Sequence, residues 1–576
     1  MKVCFKRGIA LAIIASLSAC ATLPESHDSE LQTVQKPFTE NPGDTSFEHP
    51  TADIMYRIFV AELATQRGSP GVASKFYVDA AKKSKNASIA SRAVRIASFA
   101  DNKEDALEAA KIWANAAPED TEAKRVLAVL YLRNGLFDNA KTLLSELLDA
   151  DEDGISRNIL LTGALLQREA SLEGALKVSD YLLSKHPQYA ESHYVHASLA
   201  IQANEKDIAL ESIQKALEIK ADWADAAILY PRILQEFERH DDAIAYFKTF
   251  LENNPKADNV RLAYARTLVD TRDLENARSQ FELLAVKMPN NQDVLFALAM
   301  LSMQFKDYDE AEGYLNQLER LGKSSPQVLY YLGQIGEQKE QYEAAINAYS
   351  KIRSGEFFME SQLRIALILT KTKTLEDALA HLDSIPTKTD AEKREIKLFH
   401  GSLLRESKHY QRAFDHYTGM LTNNEKDSDV LYFRSLVAER LNKIDIVIQD
   451  LSTVIEQDPE NAAAINALGY TLADKTSKLD EALKLIQRAR DLEPDDPAII
   501  DSLGWVHFRL GNQETALKYL KEAMDKIDDA EVAAHYGEAL WVSGDKEQAI
   551  EIWKKAREKN KDNDVLIETM QRFGFE

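Results

Sequence analysis

An all-α solenoid is the fold class this sequence predicts, and three observations predict it. Alanine recurs at Ala73, Ala106, Ala140, Ala175, Ala209, Ala243, Ala277, Ala311, Ala345, Ala378, Ala413, Ala482, Ala516 and Ala549, with Val447 in the one gap, in steps of 33 to 35 residues. Twelve or thirteen residues before each stands a position that is Gly, Ala or Ser in thirteen of fifteen copies, for example Ala61, Gly163, Ala299, Gly401 and Gly504. Seven residues after each the side chain is always apolar, as in Trp113, Phe250, Leu284, Ile352 and Met420. A unit of this length holds two helices and two turns. Neither helix alone can bury its apolar stripe, so about fifteen units must stack, with small residues where paired helices cross.

The clearest copy is Asp501 to Ala523, DSLGWVHFRLGNQETALKYLKEA. Proline closes many copies, at Pro118, Pro187, Pro255, Pro289, Pro459 and Pro494, where it cannot continue a helix. This register resembles the tetratricopeptide repeat (TPR) over roughly Asp53 to Lys559. The resemblance implies a right-handed superhelix of helix-turn-helix repeats. The departures are Val447, Val94 and Pro231 in place of small residues, and one extra residue before Ala482. Pro231 is expected to kink its helix or shift its start.

In order, residues 1–19 combine Lys2, Lys6 and Arg7 with the apolar run Ile9 to Leu17 and then small residues. The run is too short for a permanent span and reads as an export signal. Its end, Leu17-Ser18-Ala19-Cys20, resembles a bacterial lipobox. That family's chemistry implies lipidation of Cys20, cleavage before it, and several acyl chains, which anchor stably where one is marginal. Ala21 follows, not the aspartate that resembles an inner-membrane retention signal, so the resemblance implies the periplasmic face of the outer membrane. Loss of the segment would take the net charge from −23 to −26 and leave one cysteine, so no internal disulfide is expected.

Residues 20–50, rich in Pro, Glu, Ser, Thr and Asn, read as a flexible tether, with a reach on the order of 30 Å. Residues 51–560 are the expected superhelix, one elongated unit whose first repeat is loosely drawn, as a cap is. Copies between Asn204 and Asn347 are the most regular, whereas Arg353 to Lys393, with Gly355 and Pro386, departs from the pattern. Residues 561–576 contain Val565, Ile567 and Met570 and predict a closing helix.

Strong acidity argues against nucleic acid or anionic lipid as the main ligand and leaves a basic partner open beside the plainer reading of solvated helix faces. There is no phosphate-cradling glycine loop, nucleophile elbow or paired metal motif, so no catalysis, cofactor, metal or small-molecule substrate is expected. Asp149 to Gly154 starts like a calcium loop, but Leu160 stands where the bidentate glutamate belongs, and an acidic turn is the better reading. His186, His193 and His196, and later His409 and His416, lack a further ligand at metal spacing.

A solenoid's chemistry lies on its surfaces. In the TPR register the fifth and ninth positions of first helices face the concave side. Here they include Tyr194, Phe296, Tyr330 and Tyr432 (fifth) and Arg232, Arg266 and Met300 (ninth). Aromatic anchors with two arginines suit an extended peptide; large residues there can equally serve packing between repeats. The lysine and asparagine clamp of chaperone-tail-binding TPR proteins is missing.

Phe59 to Pro70, Lys85 to Asp120, the lipobox and the length together resemble a family of proteobacterial TPR lipoproteins that serve as outer-membrane adaptors of a periplasmic carboxyl-terminal processing protease. The resemblance implies a scaffold joining that protease to cell-wall hydrolases. Two alternatives stay open: an envelope-assembly or secretion factor docking outer-membrane components, and a cell-wall enzyme.

Overall fold

The computed structural model describes residues 50–149, 154–322, 325–422 and 424–575. Among them are 31 α-helices and no strand. Helices alternate as first and second members of a pair, from α1 (Pro50–Gln66) with α2 (Pro70–Ser84) to α29 (Ala530–Ser543) with α30 (Lys546–Lys559), and α31 (Asp564–Arg572) follows the fifteenth pair. The chain falls into two compact units, one ending at Tyr314 and the other starting at Leu315. The alanine step is unchanged on either side, 34 residues from Ala277 to Ala311 and from Ala311 to Ala345. No described helix is long and apolar enough to cross a membrane.

Local chemistry sets where each helix starts. Many first helices open on side-chain caps: Asn86, Asp120, Asn291, Ser325, Asp427, Asn461, Asp496 and Asp529 each accept an amide of the first turn. First helices commonly end through one left-handed residue two positions before the second helix, at Gly68, Asp101, Gly135, Asn204, Glu238, Arg272, Lys306, Glu340, Lys408, Asn442, Gly511 and Gly544. Of the three second helices that lack it, two start on a hydroxyl cap, at Ser171 and Thr374, and the third, Leu479–Leu492, starts at Lys478 without a side-chain cap.

The periodic alanines are the crossing points. Each is at most 2% exposed, and Val447 is 1% exposed in the same place. Opposite the small first-helix residue stands a large one sixteen or seventeen positions on. A Cβ at Gly333, Gly401, Gly469, Gly504 or Gly537 would run into Tyr349, Tyr417, Ile486, Leu520 or Trp553 respectively. Phe247 and Phe281 fill the same place against Pro231 and Ala265. Each such side chain contributes about 2–3 kcal/mol of burial.

In the first unit, α11 (Ala224–Gln235) continues through Pro231, and its start keeps the 34-residue step from α9 (Ala190–Gln202) to α13 (Asp258–Asp270). The expected shift of its start does not occur: the proline lies past the first two turns, so the helix is already nucleated when the missing amide is met. At the amino-terminal end the buried Arg57 is held by Asp53 at 3.0 Å and by Asp79.

In the second unit the irregular stretch takes a definite form. Second helices α18 (Tyr342–Ser350) and α20 (Leu375–Ser384) shorten to 9 and 10 residues, and first helices α19 (Glu356–Thr372) and α21 (Asp390–Glu406) lengthen to 17. Gly355, at φ 91°, makes the turn into α19, and capping boxes at Thr374 and Thr389 start the next two helices. The unit curls back on itself: Lys408 Nζ reaches Asp564 Oδ1 at 2.7 Å and the Asp562 carbonyl at 3.0 Å. A closing cluster of Trp541, Trp553, Phe573 and Phe575 seals its end.

Candidate protein-binding surfaces

First helices of several neighbouring repeats pack side by side, among them α9 with α11 and α11 with α13 in the first unit, and Ala462–Lys475 with Pro497–Arg509 and the latter with α29 in the second. In the first unit, Tyr194 on α9 lies half-buried, its ring 4.7 Å from Trp223, with Lys220 over the indole at 5.2 Å. Arg232 on α11 is exposed, and Arg266 on α13 reaches Asp293 at 3.1 Å. Tyr194, Arg232 and Arg266 thus lie on three successive first helices, with Arg232 exposed and Arg266 half-buried and paired with Asp293. Phe296 on α15 (Gln292–Gln304) is half-buried, and Met300 is 9% exposed and packed away.

In the second unit Tyr330, on α17 (Pro326–Gln338), is only 5% exposed. Its hydroxyl donates to Glu360 and accepts from Gln334 at 3.0 Å and Arg364 at 3.3 Å. Arg364 also donates to Glu337 at 2.9 Å, and Tyr349 donates to the same carboxylate at 2.6 Å. Burial and Glu337 push the Tyr349 hydroxyl far above its ordinary range. For Tyr330 and Met300 the packing alternative is thus the one the geometry favours. Tyr432, on α23 (Ser428–Arg440), is half-buried against Phe433.

A second wall, unforeseen in the sequence reading, runs across α23, α25 (Ala462–Lys475), α27 (Pro497–Arg509) and α29. His535 Nδ1 bonds Asp501 Oδ2 at 2.8 Å, and its Nε2 lies 3.3 Å from the Tyr470 hydroxyl. That hydroxyl lies 3.2 Å from Glu531 Oε1. Trp505 stacks on His535 at 4.2 Å and donates to Asp474 at 3.2 Å. Burial opposes charge on His535, but the Asp501 carboxylate outweighs it and the imidazole is raised to about 9. At neutral pH it is an imidazolium, donating to Asp501 and to Tyr470, which donates on to Glu531. Burial and the neighbouring Glu531 charge push Glu439 up to about 7, against Arg440 and Lys475. A signal for this wall existed: Asp501 is a fifth position and Tyr470, Trp505 and Glu538 are ninth positions in the register already used.

The remaining sequence candidates are placed as follows. The signal-like segment, Cys20 and residues 21–49 of the tether lie outside the described residues, as do 150–153 of the acidic turn. His196 is buried between Asp180 and Ser212, each at 2.7 Å, and His193 bonds the Pro187 carbonyl at 2.9 Å. His416 bonds the Lys397 carbonyl at 2.8 Å and stacks on His400 at 4.4 Å. Among the described residues no group of three His, Cys, Asp or Glu could hold a metal ion.

Tetratricopeptide-repeat family models match residues 426–569, 232–293 and 296–357. The chain is 35% identical over 536 residues to the TPR repeat-containing protein PA4667 of Pseudomonas aeruginosa, covering 92% of this chain and 89% of that one. Among solved structures it is similar to yeast Tom70 (14% identity, 73% of this chain and 95% of that one, TM-score 0.34). It is also similar to the APC/C hetero-tetramer Cut9–Hcn1 (15% identity, 83% and 95%, TM-score 0.32). Such repeats indicate a protein-interaction scaffold. With that identity sustained through nearly the whole repeat array, the chain belongs to the tetratricopeptide-repeat family.

Proposed function

We propose that this chain is a non-catalytic adaptor, anchored by acyl chains on Cys20 to the periplasmic face of the outer membrane, that brings a carboxyl-terminal processing protease to cell-wall hydrolase substrates. The observation that carries the reading is the sequence Leu17-Ser18-Ala19-Cys20, which resembles a lipobox, ahead of fifteen repeats of a kind that serves protein interaction. Anchor and scaffold together raise the local concentration of what they bind without supplying chemistry. Partners have more than one wall to use: the arginine and aromatic positions Arg232, Arg266 and Tyr194 in the first unit, and the Tyr470 wall in the second.

The test has two parts. Replacing Cys20 by alanine should move the protein from the membrane fraction to the soluble periplasm. Affinity capture from solubilised envelopes, with the mature chain tagged in place of Cys20, should recover a carboxyl-terminal processing protease together with cell-wall hydrolases. Recovery of barrel-assembly or secretion components with no protease would overturn the adaptor reading.

A further inference from the structure

We propose that the inner wall of the second to fourth repeats, built on α3 (Ala87–Phe99), α5 (Thr121–Arg133) and α7 (Ile155–Glu169), holds an extended acidic segment of a partner protein. Its carboxylates would lie on Arg95, Arg125 and Arg157, and its apolar side chains on Phe99, Leu160 and Leu161. The proposal rests on the reading of this chain as a protein-binding scaffold and names the chemistry that one stretch of its surface selects.

Two independent observations meet on these helices. The first is charge. In a chain of net charge −23, α3, α5 and α7 together carry seven basic residues and two acidic ones. One of the two acids is already used: Glu169 receives Arg133 at 2.6 Å and Arg168 at 2.7 Å, which leaves Glu122 as the other. Arg95, Arg125 and Arg157 are exposed and make no hydrogen bond or ion pair among the described residues. Guanidinium forks left open in this way match carboxylates in shape as well as charge.

The second observation is apolar exposure in the same place. Phe99 is 79% exposed, Leu161 57% and Leu160 36%, and on α1 next to them Met55 and Phe59 also stand open. From α9 to α27, by contrast, no first helix leaves a large apolar side chain exposed among the described residues. Arginine and large apolar groups left open together are the composition of an interface rather than of a solvated helix face.

Backbone placement puts both sets on one face. Val94 and Ala97 on α3, and Gly163 and Leu166 on α7, are buried toward the second-helix layer, and the exposed groups stand on the opposite side. Arg95 is a ninth position, and Arg125 and Leu160 are fifth positions, in the register that turns side chains to the concave face. Neighbouring members are held together: Arg133 on α5 bonds Glu169 on α7, and α3 and α5 both pack against α4 (Lys103–Ala116). Arg92 on α3 reaches Glu62 on α1 at 3.3 Å, which extends the same face to the first repeat.

Charge complementarity selects the occupant. A membrane or a nucleic acid presents negative charge over a wide area and would meet the acidic remainder of the chain, whereas a single acidic segment meets only this wall. Nine extended residues reach about 30 Å, enough to cross three helices that pack about 10 Å apart.

The experiment uses the full mature chain without its lipid. The probe is acetyl-Leu-Glu-Phe-Glu-Gly-Leu-Glu-Phe-Glu-amide, compared by titration calorimetry at pH 7 with the same peptide carrying glutamine for every glutamate. The acidic peptide should bind at least about tenfold more tightly, with a preference that shrinks as salt is added. Arg125→Gln combined with Arg157→Gln should weaken it about tenfold, and Leu161→Gln severalfold. Lys248→Gln, which removes an exposed cation from the second helix His240–Asn253, should leave the affinity unchanged. Neither arginine is bonded within the chain, so the double variant should melt with the parent, which separates lost binding from lost folding. Equal affinity for the two peptides, binding of neither, or a loss at Lys248→Gln equal to that of the arginines would overturn the proposal. Phosphatidylglycerol vesicles that displace the peptide would assign the wall to lipid and overturn it. So would tighter peptide binding once Glu25, Glu30, Glu40 and Glu48 are all replaced by glutamine, which would assign the wall to the chain's own residues 21–49. Capture of a protease by the parent chain in parallel would leave the scaffold reading standing in each of these cases and remove only this site.

Discussion

At Gly401 a Cβ would come within 2.8 Å of the Tyr417 hydroxyl and closer still to its ring, and Tyr417 is fully buried. The same complement of nothing against something large recurs at Gly333 with Tyr349 and Gly537 with Trp553. Gly401→Val should therefore cost about 1–3 kcal/mol by overpacking, and Trp553→Ala about 3–5 kcal/mol by the cavity it leaves, both read from chemical unfolding. Titration at this scale has opposite signs in one unit. His381, His400 and His416 are held below their ordinary value, chiefly by burial. Below pH 6.5 the unfolded chain takes up protons that the folded one refuses, so stability falls as pH falls. His535 is raised to about 9; its contribution is complete below pH 6.5 and lost as pH rises through 9. A two-limbed stability profile follows. His416→Gln should flatten its acid limb and Asp501→Asn its alkaline limb, each followed by thermal unfolding across pH 5 to 10.

Among the elements, the turns and caps were the least legible part of the sequence. Twelve first helices end through a left-handed residue, yet glycine advertises it only at Gly68, Gly135, Gly511 and Gly544; Glu238, Arg272, Lys306 and Glu340 adopt it because the packed helices on either side demand it. Glu340 is exposed at φ 58°. Glu340→Gly should accordingly stabilise the chain by up to about 1 kcal/mol, whereas Thr374→Ala, which removes a capping box, should lose about 1 kcal/mol. Calorimetry on the two variants reads both. The irregularity between Arg353 and Lys393 was visible as a break in spacing. Its form, with second helices of 9 and 10 residues, was not: the turn at Gly355 and the capping boxes at Thr374 and Thr389 signal where helices start, and nothing local signals how early the second helices stop.

For the whole molecule, repeat register was plain in the sequence because crossing points are local and recur, so alanine and glycine mark them copy after copy. The walls were plain only in part. Arg232 is exposed and Tyr194 half-buried, while Tyr330, at the same register position as Tyr194, is consumed by Glu360, Gln334 and Arg364. Spacing says which face a residue takes, not what arrives from the next repeat. The Tyr470 to His535 contact joins residues 65 apart through the curvature of the second unit, which no period in the chain states. The account's central claim is that this scaffold acts by holding enzyme and substrate together. The most direct test adds the purified chain, over a wide concentration range, to a carboxyl-terminal processing protease and a cell-wall hydrolase and follows cleavage of the hydrolase. Holding together predicts no cleavage from the chain alone and a rate that rises and then falls as excess scaffold separates the two partners. A rate that ignores the scaffold, or cleavage by the chain without the protease, would contradict it.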